Sequence, residues 1–152
     1  MTELGFTMNL TSSKEDLMNI ITDYEKYKTY LPDQLKNIKI IESNENETIT
    51  EESIIFSNYI KKPFVQKTKH MLKNSYTHQS VLMSGPAEGS NITVILKDSN
   101  DHGTQVDIKI ELKLTWKAKF LLPLIKKWYK RVITTLLYNI NNTAEIKKNE
   151  NV

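Results

Sequence analysis

Leu4, Phe6, Met8 and Leu10 alternate with polar or small residues over positions 3–10, the period-two pattern of a half-buried strand. The period then lengthens. Leu17, Met18, Ile20, Ile21, Tyr24, Tyr27, Tyr30 and Leu31 recur at spacings of three and four, which predicts one amphipathic helix. Its start is read at Ser12, because Ser12 with Glu15 three residues on fits a capping box. Pro32 ends it near Leu31 by disfavouring helical geometry in the residue before it, and residues 33–37 allow a short second turn.

From about residue 36 to residue 116 no long 3.6-residue period appears. Short runs are separated by turn signals at residues 44–47, 61–63, 73–75, 85–89 and 98–103, which predicts an antiparallel meander. Its clearest strand is the last, where Val106, Ile108, Ile110, Leu112, Leu114 and Trp116 alternate with polar residues. Beyond it Leu121, Leu124, Ile125, Trp128, Val132, Leu136 and Ile140 form a helical stripe, with Pro123 in the first turn. The expected architecture is therefore α+β: a curved antiparallel sheet of about six or seven strands wrapped around a long C-terminal helix, with short helices after strand one.

Composition narrows this picture without changing it. The 152 residues suit one domain, drawn at residues 1–143 with a fraying tail at 144–152, and a chain of this length buries about 70% of its unfolded surface. With 39% hydrophobic residues, 26% charged residues and four each of Gly and Pro, it reads as globular. The lack of cysteine excludes disulfides and thiolate chemistry. The first residues carry no basic-then-apolar leader and no run of about 18 apolar residues occurs, so a cytoplasmic location is expected. The net charge of +3 is unevenly placed: residues 42–52 carry five Glu and no base, residues 117–131 six Lys or Arg and no acid. That is too small a net charge to argue for DNA.

The segment Asp23-Tyr24-Glu25-Lys26-Tyr27-Lys28-Thr29-Tyr30-Leu31-Pro32 resembles the D-x-E-x-Y-x-x-F-L-P signature that ends the first helix in START-like (SRPBCC) proteins, in particular the polyketide cyclase and coenzyme Q-binding branch. Gly85-Pro86-Ala87-Glu88-Gly89 is similar to that branch's G-P-x-x-G turn, and Gly103-Thr104-Gln105-Val106 to its G-T-x-V opening of the last strand. Tyr30 stands where Phe is commoner, and Ala87 where a bulky residue often sits. The resemblance covers about residues 3–143 and implies a helix-grip fold with a hydrophobic tunnel between sheet and last helix. Among relatives of this kind some carry lipids, isoprenoids or quinones, some cyclise polyketides, and one group acts on ribosome association.

The expected pocket is drawn from Tyr24, Tyr27, Tyr30, Leu31, Phe56, Tyr76, Leu112, Trp116, Leu121, Leu124, Ile125 and Trp128, with Trp116 and Trp128 facing each other across it. Tyr27, Tyr76, His70 and His78 are its candidate polar groups. A two-residue turn between the histidines' strands would pair 70 with 79 and send the imidazoles to opposite faces; a three-residue loop would pair 70 with 80 and bring them together. Only the second arrangement allows joint acid–base chemistry, and these two histidines are the candidate catalytic residues. With no third ligand nearby, no metal and no cofactor are expected. No G-x-S-x-G elbow or phosphate loop occurs.

Three functions follow as expectations: binding of a small hydrophobic ligand, a cyclase or dehydratase acting on such a ligand, and association with a membrane surface or the ribosome. The last would use Lys126, Lys127, Lys130 and Arg131 beside an apolar mouth at Phe120, Leu121 and Leu122. A monomer or weak dimer is expected.

Overall fold

A computed structural model describes residues 1–56 and 62–150. Its order is β1 (Thr2–Leu10), α1 (Lys14–Ile21), a 3-10 turn (Tyr24–Lys26), α2 (Tyr27–Tyr30), β2 (Leu35–Ser43), β3 (Glu47–Ile54), β4 (Phe64–Asn74), β5 (Thr77–Leu82), β6 (Asn91–Asp98), β7 (Thr104–Leu112), a 3-10 turn (Lys119–Leu121) and α3 (Leu122–Glu150). The seven strands form one antiparallel sheet in the order β1-β7-β6-β5-β4-β3-β2. Six strands follow one another as a meander and β1 closes against the last, so the helical insertion after β1 lies between the two edge strands. Bulges in β2 and at the end of β4 break the ladder locally and bend those strands.

Alternation puts Val106, Ile108, Ile110 and Leu112 of β7 on the inner face with Met8 and Leu10 of β1, all buried. The facing stripe of α3 is Ile125, Tyr129, Val132, Ile133, Leu136, Leu137 and Ile140, also buried. This matches the expected fold, a sheet gripping a C-terminal helix.

Several boundaries differ from expectation, each for a local reason. The cap of α1 is Ser13, whose Oγ accepts from the Asp16 amide at 3.2 Å. Ser12 has another partner: its amide donates to Asn141 Oδ1 at 3.0 Å and its hydroxyl to Glu145 Oε1 at 2.7 Å. The first helix also ends early, at Ile21, where the Thr22 hydroxyl bonds back to the Met18 carbonyl and competes with helix continuation. The Tyr24–Tyr30 stretch is a 3-10 turn followed by one short helix.

The C-terminal segment read as a tail is helix to Glu150, with Asn141 and Ala144 buried against the β1–α1 corner that Ser12 grips. The final strand is shorter than its alternation suggested. It stops at Leu112, and Leu114 and Trp116 belong to the connection into α3. Of the turn read at residues 61–63, Lys61 lies outside the described residues.

Two turns depend on glycine. Gly85 and Gly89 have φ of +92° and +90°, the left-handed region that costs glycine nothing. Gly103 packs so closely on β1 that a Cβ there would stand 2.2 Å from the Leu10 carbonyl oxygen.

Candidate functional site

Between α3 and strands β3 to β6 lies a cavity of about 130 Å³, lined from the helix by Trp128, Tyr129, Val132, Ile133, Leu136, Leu137 and Ile140. A second, of about 200 Å³, is lined by Phe56, Phe64, Pro86, Ala87, Leu114, Ala118, Leu121 and Ile125. The two share Gln66, Trp128 and Tyr129. The outer cavity is almost wholly apolar, whereas the inner one has a polar wall where β3, β4 and β5 run side by side.

That wall follows from register. Thr50 pairs with Thr68, Glu52 with Gln66, and His70 with Ser80, so the inward positions of three neighbouring strands are polar and form one patch. His70 opposite Ser80 is the second of the two pairings weighed from sequence. It brings the imidazoles onto one face, with ring centroids 5.6 Å apart.

The patch is connected by hydrogen bonds. Thr50 Oγ1 donates to Glu52 Oε1 at 3.0 Å and lies 2.9 Å from His70 Nε2, while His70 Nδ1 lies 3.0 Å from Ser80 Oγ. A hydroxyl has one proton, so with Thr50 donating to Glu52 the bond from His70 must come from Nε2–H, and Ser80 then donates to Nδ1. Glu52 thus sets the tautomer of His70 through Thr50. Beside them Tyr24 Oη lies 2.9 Å from His78 Nε2, and its ring stacks on His70 at 4.0 Å.

Burial governs the titration of every one of these groups. Desolvation pushes the Glu52 carboxyl up to about 7, with the nearby Thr68 and Thr50 hydroxyls opposing it. It pulls His70 down to about 3, helped by the neighbouring His78, and His78 down to about 4. Tyr24 is pushed up to about 12, and Tyr27 and Tyr129 are raised as well. At neutral pH the wall therefore holds two neutral imidazoles, neutral phenols and one carboxyl midway through titration. Such a set can hydrogen-bond a polar group on an apolar ligand and can exchange a proton with it. Among the described residues no cluster of three or more His, Cys, Asp or Glu is placed to hold a metal ion.

The residues expected at the pocket divide into three groups. Tyr27 and Trp128 line the inner cavity, and Phe56, Leu121, Ile125 and Trp128 the outer one. Phe56 stacks on Trp128 at 5.5 Å, and the Tyr27 hydroxyl donates to the Ile21 carbonyl. Tyr24 stands behind the histidines, while Tyr30, Leu31 and Leu112 are core residues lining neither cavity.

Tyr76, Trp116 and Leu124 lie outside. Tyr76 donates to Glu15 at the surface beneath Lys14. Trp116 is 77% exposed because β7 has already ended, so the two tryptophans do not meet across the cavity. Leu124 is 57% exposed on the solvent side of α3. Of the cations, Lys126 is partly buried, Lys127 and Arg131 are exposed, and Lys130 is exposed with its ammonium 5.6 Å from the Phe6 ring centroid.

The main residue that pattern reasoning passed over is Glu52, together with its partners Thr50, Thr68, Gln66 and Ser80. The signal existed: Ile54 must face the core, and period two then turns Glu52 and Thr50 inward.

No protein-family model matches the sequence, and no curated protein matches it either. Solved structures match over nearly the whole chain. The Zhui aromatase/cyclase from Streptomyces sp. R1128 superposes with a TM-score of 0.82 at 8% identity, covering 95% of this chain and 93% of that one. A protein of Thermus thermophilus gives 0.80 at 14% identity, covering 96% and 99%. A START superfamily protein from Mycobacterium smegmatis gives 0.74 at 13% identity, covering 94% and 97%. At such identities the likeness is one of fold: the chain has the START-like, helix-grip fold.

Proposed function

We propose that the protein binds a small hydrophobic ligand, as carrier or sequestering agent, in the space between the sheet and α3; a lipid, isoprenoid, quinone or polyketide fits this description. The observation that carries the reading is the pair of cavities meeting at Trp128 and Tyr129. Unfilled volume in a core forfeits packing contacts, so cavities lined by apolar side chains with one polar wall make better sense as a site than as a packing fault. Enclosing a single aromatic ring, with about 200 Å² of apolar surface, gains about 5 kcal/mol before the costs of association. Native mass spectrometry of the purified protein, followed by extraction, tests this. A bound apolar small molecule is expected; a ligand-free protein that takes up no apolar compound in titration refutes it.

The wall of Glu52, Thr50 and His70 favours one second reading, a cyclase or dehydratase in which the carboxyl or an imidazole moves a proton on the bound chain. The Streptomyces aromatase/cyclase shares the fold and so supports the comparison. Replacing His70 and His78 by Phe and, separately, Glu52 by Gln tests this second reading: ligand binding retained in both variants with no turnover detected in the wild type removes its candidate proton carriers.

The surface beside the outer cavity supports loading at a membrane. Trp116, Phe120 and Leu124 are 77%, 78% and 57% exposed, and Lys117, Lys119 and Lys127 are exposed along the same connection and the start of α3. Apolar side chains among cations fit an anionic bilayer, where rings insert and lysines meet headgroups, better than they fit RNA. Co-sedimentation with vesicles containing phosphatidylserine, lost in W116S/F120S, is expected. Binding to ribosomes but not to vesicles would overturn the membrane reading. No helix among the described residues is long and apolar enough to cross a membrane.

A further inference from the structure

Among the described residues Glu52 Oε2 is the one buried side-chain polar atom without a hydrogen-bond partner. Glu52 is 7% exposed and lines the inner cavity, its other oxygen held by Thr50. The rest of the wall is satisfied internally: Thr50 with His70, His70 with Ser80, Tyr24 with His78, and Gln66 with Thr68. Among the described residues no Lys or Arg lines the cavity to act as counter-ion. Leaving one acceptor unmade in a buried network is costly, and here the unmade acceptor belongs to a side chain that lines the space proposed for a ligand.

The geometry points to a ligand whose apolar body fills the cavity and whose hydroxyl, as a phenol or alcohol, donates its proton to Glu52 Oε2. This inference rests on the ligand-binding reading and names the polar end of that ligand. A hydroxyl suits the site better than an ammonium, because stripping water from a cation costs far more than stripping it from a neutral donor. A ketone or ether offers only an acceptor, which fits the protonated acid alone, whereas a hydroxyl can donate to the carboxylate as well. Where water fills the cavity before binding, a ligand hydroxyl replaces its hydrogen bond and an ether does not.

The groups facing Glu52 make its response readable. They are His70 of β4, His78 of β5, Tyr27 of α2 and Tyr129 of α3, with Glu51 next to it on β3. Burial keeps both imidazoles and both phenols neutral at pH 7. Glu52 is then the cavity group that titrates near neutrality. A donor bound to Oε2 favours the carboxylate and releases protons into the buffer, whereas an acceptor favours the protonated acid and takes protons up.

The probes are 4-butylphenol and 4-butylanisole, which differ in replacing the donor by a methyl ether. A cavity of about 150 Å³ is known to accept benzene, so one ring suits the inner space and the butyl chain can extend past Trp128. Isothermal titration calorimetry of the full chain at pH 7, in two buffers of different ionisation enthalpy, gives affinity and proton count together. The phenol is expected to bind at least about tenfold tighter than the ether, the yield of one hydrogen bond to a charged acceptor. It is also expected to release a fraction of a proton. In Glu52→Met the preference should vanish, and in Glu52→Gln the proton release.

Equal affinity of the two probes for the wild type, proton uptake with the phenol, or a preference that survives Glu52→Met overturns this inference and leaves the binding reading standing. Failure of both probes to bind removes both.

Discussion

Replacing Glu52 by Gln should stabilise the protein at pH 8 relative to wild type far more than at pH 4. The carboxyl titrates at 4.5 in an ordinary setting and at about 7 in the fold. As pH rises through that window the unfolded chain loses its proton while the folded chain keeps it, so ionisation favours unfolding. The stability that the protonated acid allows is complete below about 4.5, is lost as pH rises, and is gone above about 7. A displacement from 4.5 to about 7, at about 1.4 kcal/mol per pH unit, corresponds to about 3 kcal/mol. Gln cannot ionise and escapes the loss. Its amide protons impose their own cost, but that cost is the same at every pH, so the quantity to compare is the difference between wild type and variant across the pH range.

Urea unfolding followed by tryptophan fluorescence, at half-unit steps from pH 4 to pH 8.5, measures it directly. With m-values of about 1–3 kcal/mol/M the two midpoints should separate by about 1 M or more between the extremes. Wild-type and variant curves that stay parallel across this range would refute the claim that Glu52 is buried without a compensating charge.

Three further outcomes are expected. The histidines act in the opposite sense. Their folded values of about 3 and about 4 lie below the ordinary 6.5, so the unfolded chain gains protons first and stability falls as pH drops from 6.5 toward 4, by about 1.4 kcal/mol per pH unit for each. His78→Phe should make that acid slope shallower in urea titrations, and an unchanged slope counts against it. Trp128 lines both cavities and Trp116 is exposed, so 4-butylphenol should quench emission in Trp116→Phe but not in Trp128→Phe; the reverse result would relocate the site. Gly103→Ala should cost about 3 kcal/mol or more in thermal or urea unfolding, because its Cβ must displace the Leu10 carbonyl of β1. A loss under about 0.5 kcal/mol would show that β1 and the β6–β7 turn can separate freely.

The architecture was legible wherever one period held over many residues. Alternation in β1 and β7 and the stripe of α3 each report burial against a single partner, and together they define the layers. Local signals misled where a side chain had a distant partner. Ser12 and Glu15 satisfy a capping box on paper, yet Ser12 is taken by Asn141 and Glu145, more than 120 residues away, and Ser13 caps instead. Trp116 continued the alternation of β7 by sequence alone, while in space the strand had already lost its neighbour: β1 pairs no further than Thr2 opposite Leu112.

The candidate site was harder to read because it breaks the rule that reading relies on. An apolar-in, polar-out assignment places the Glu-rich stretch around Glu52 in water, and in β2 it is largely right. In β3, Ile54 faces inward and carries Glu52 and Thr50 with it, and the same register brings Gln66, Thr68, His70 and Ser80 to the same wall. Seven inward positions on three adjacent strands, counting His78, are polar where packing alone would favour Val, Ile and Leu. A solitary polar residue in a core is commonly an accommodated accident with one backbone partner. A contiguous patch whose members bond to one another, with Glu52 Oε2 the one buried side-chain polar atom left unpaired among the described residues, is a different case, because the unmade bond is a cost that an incoming donor would remove. The departure from pattern is therefore itself the argument for where the polar end of the proposed ligand would lie.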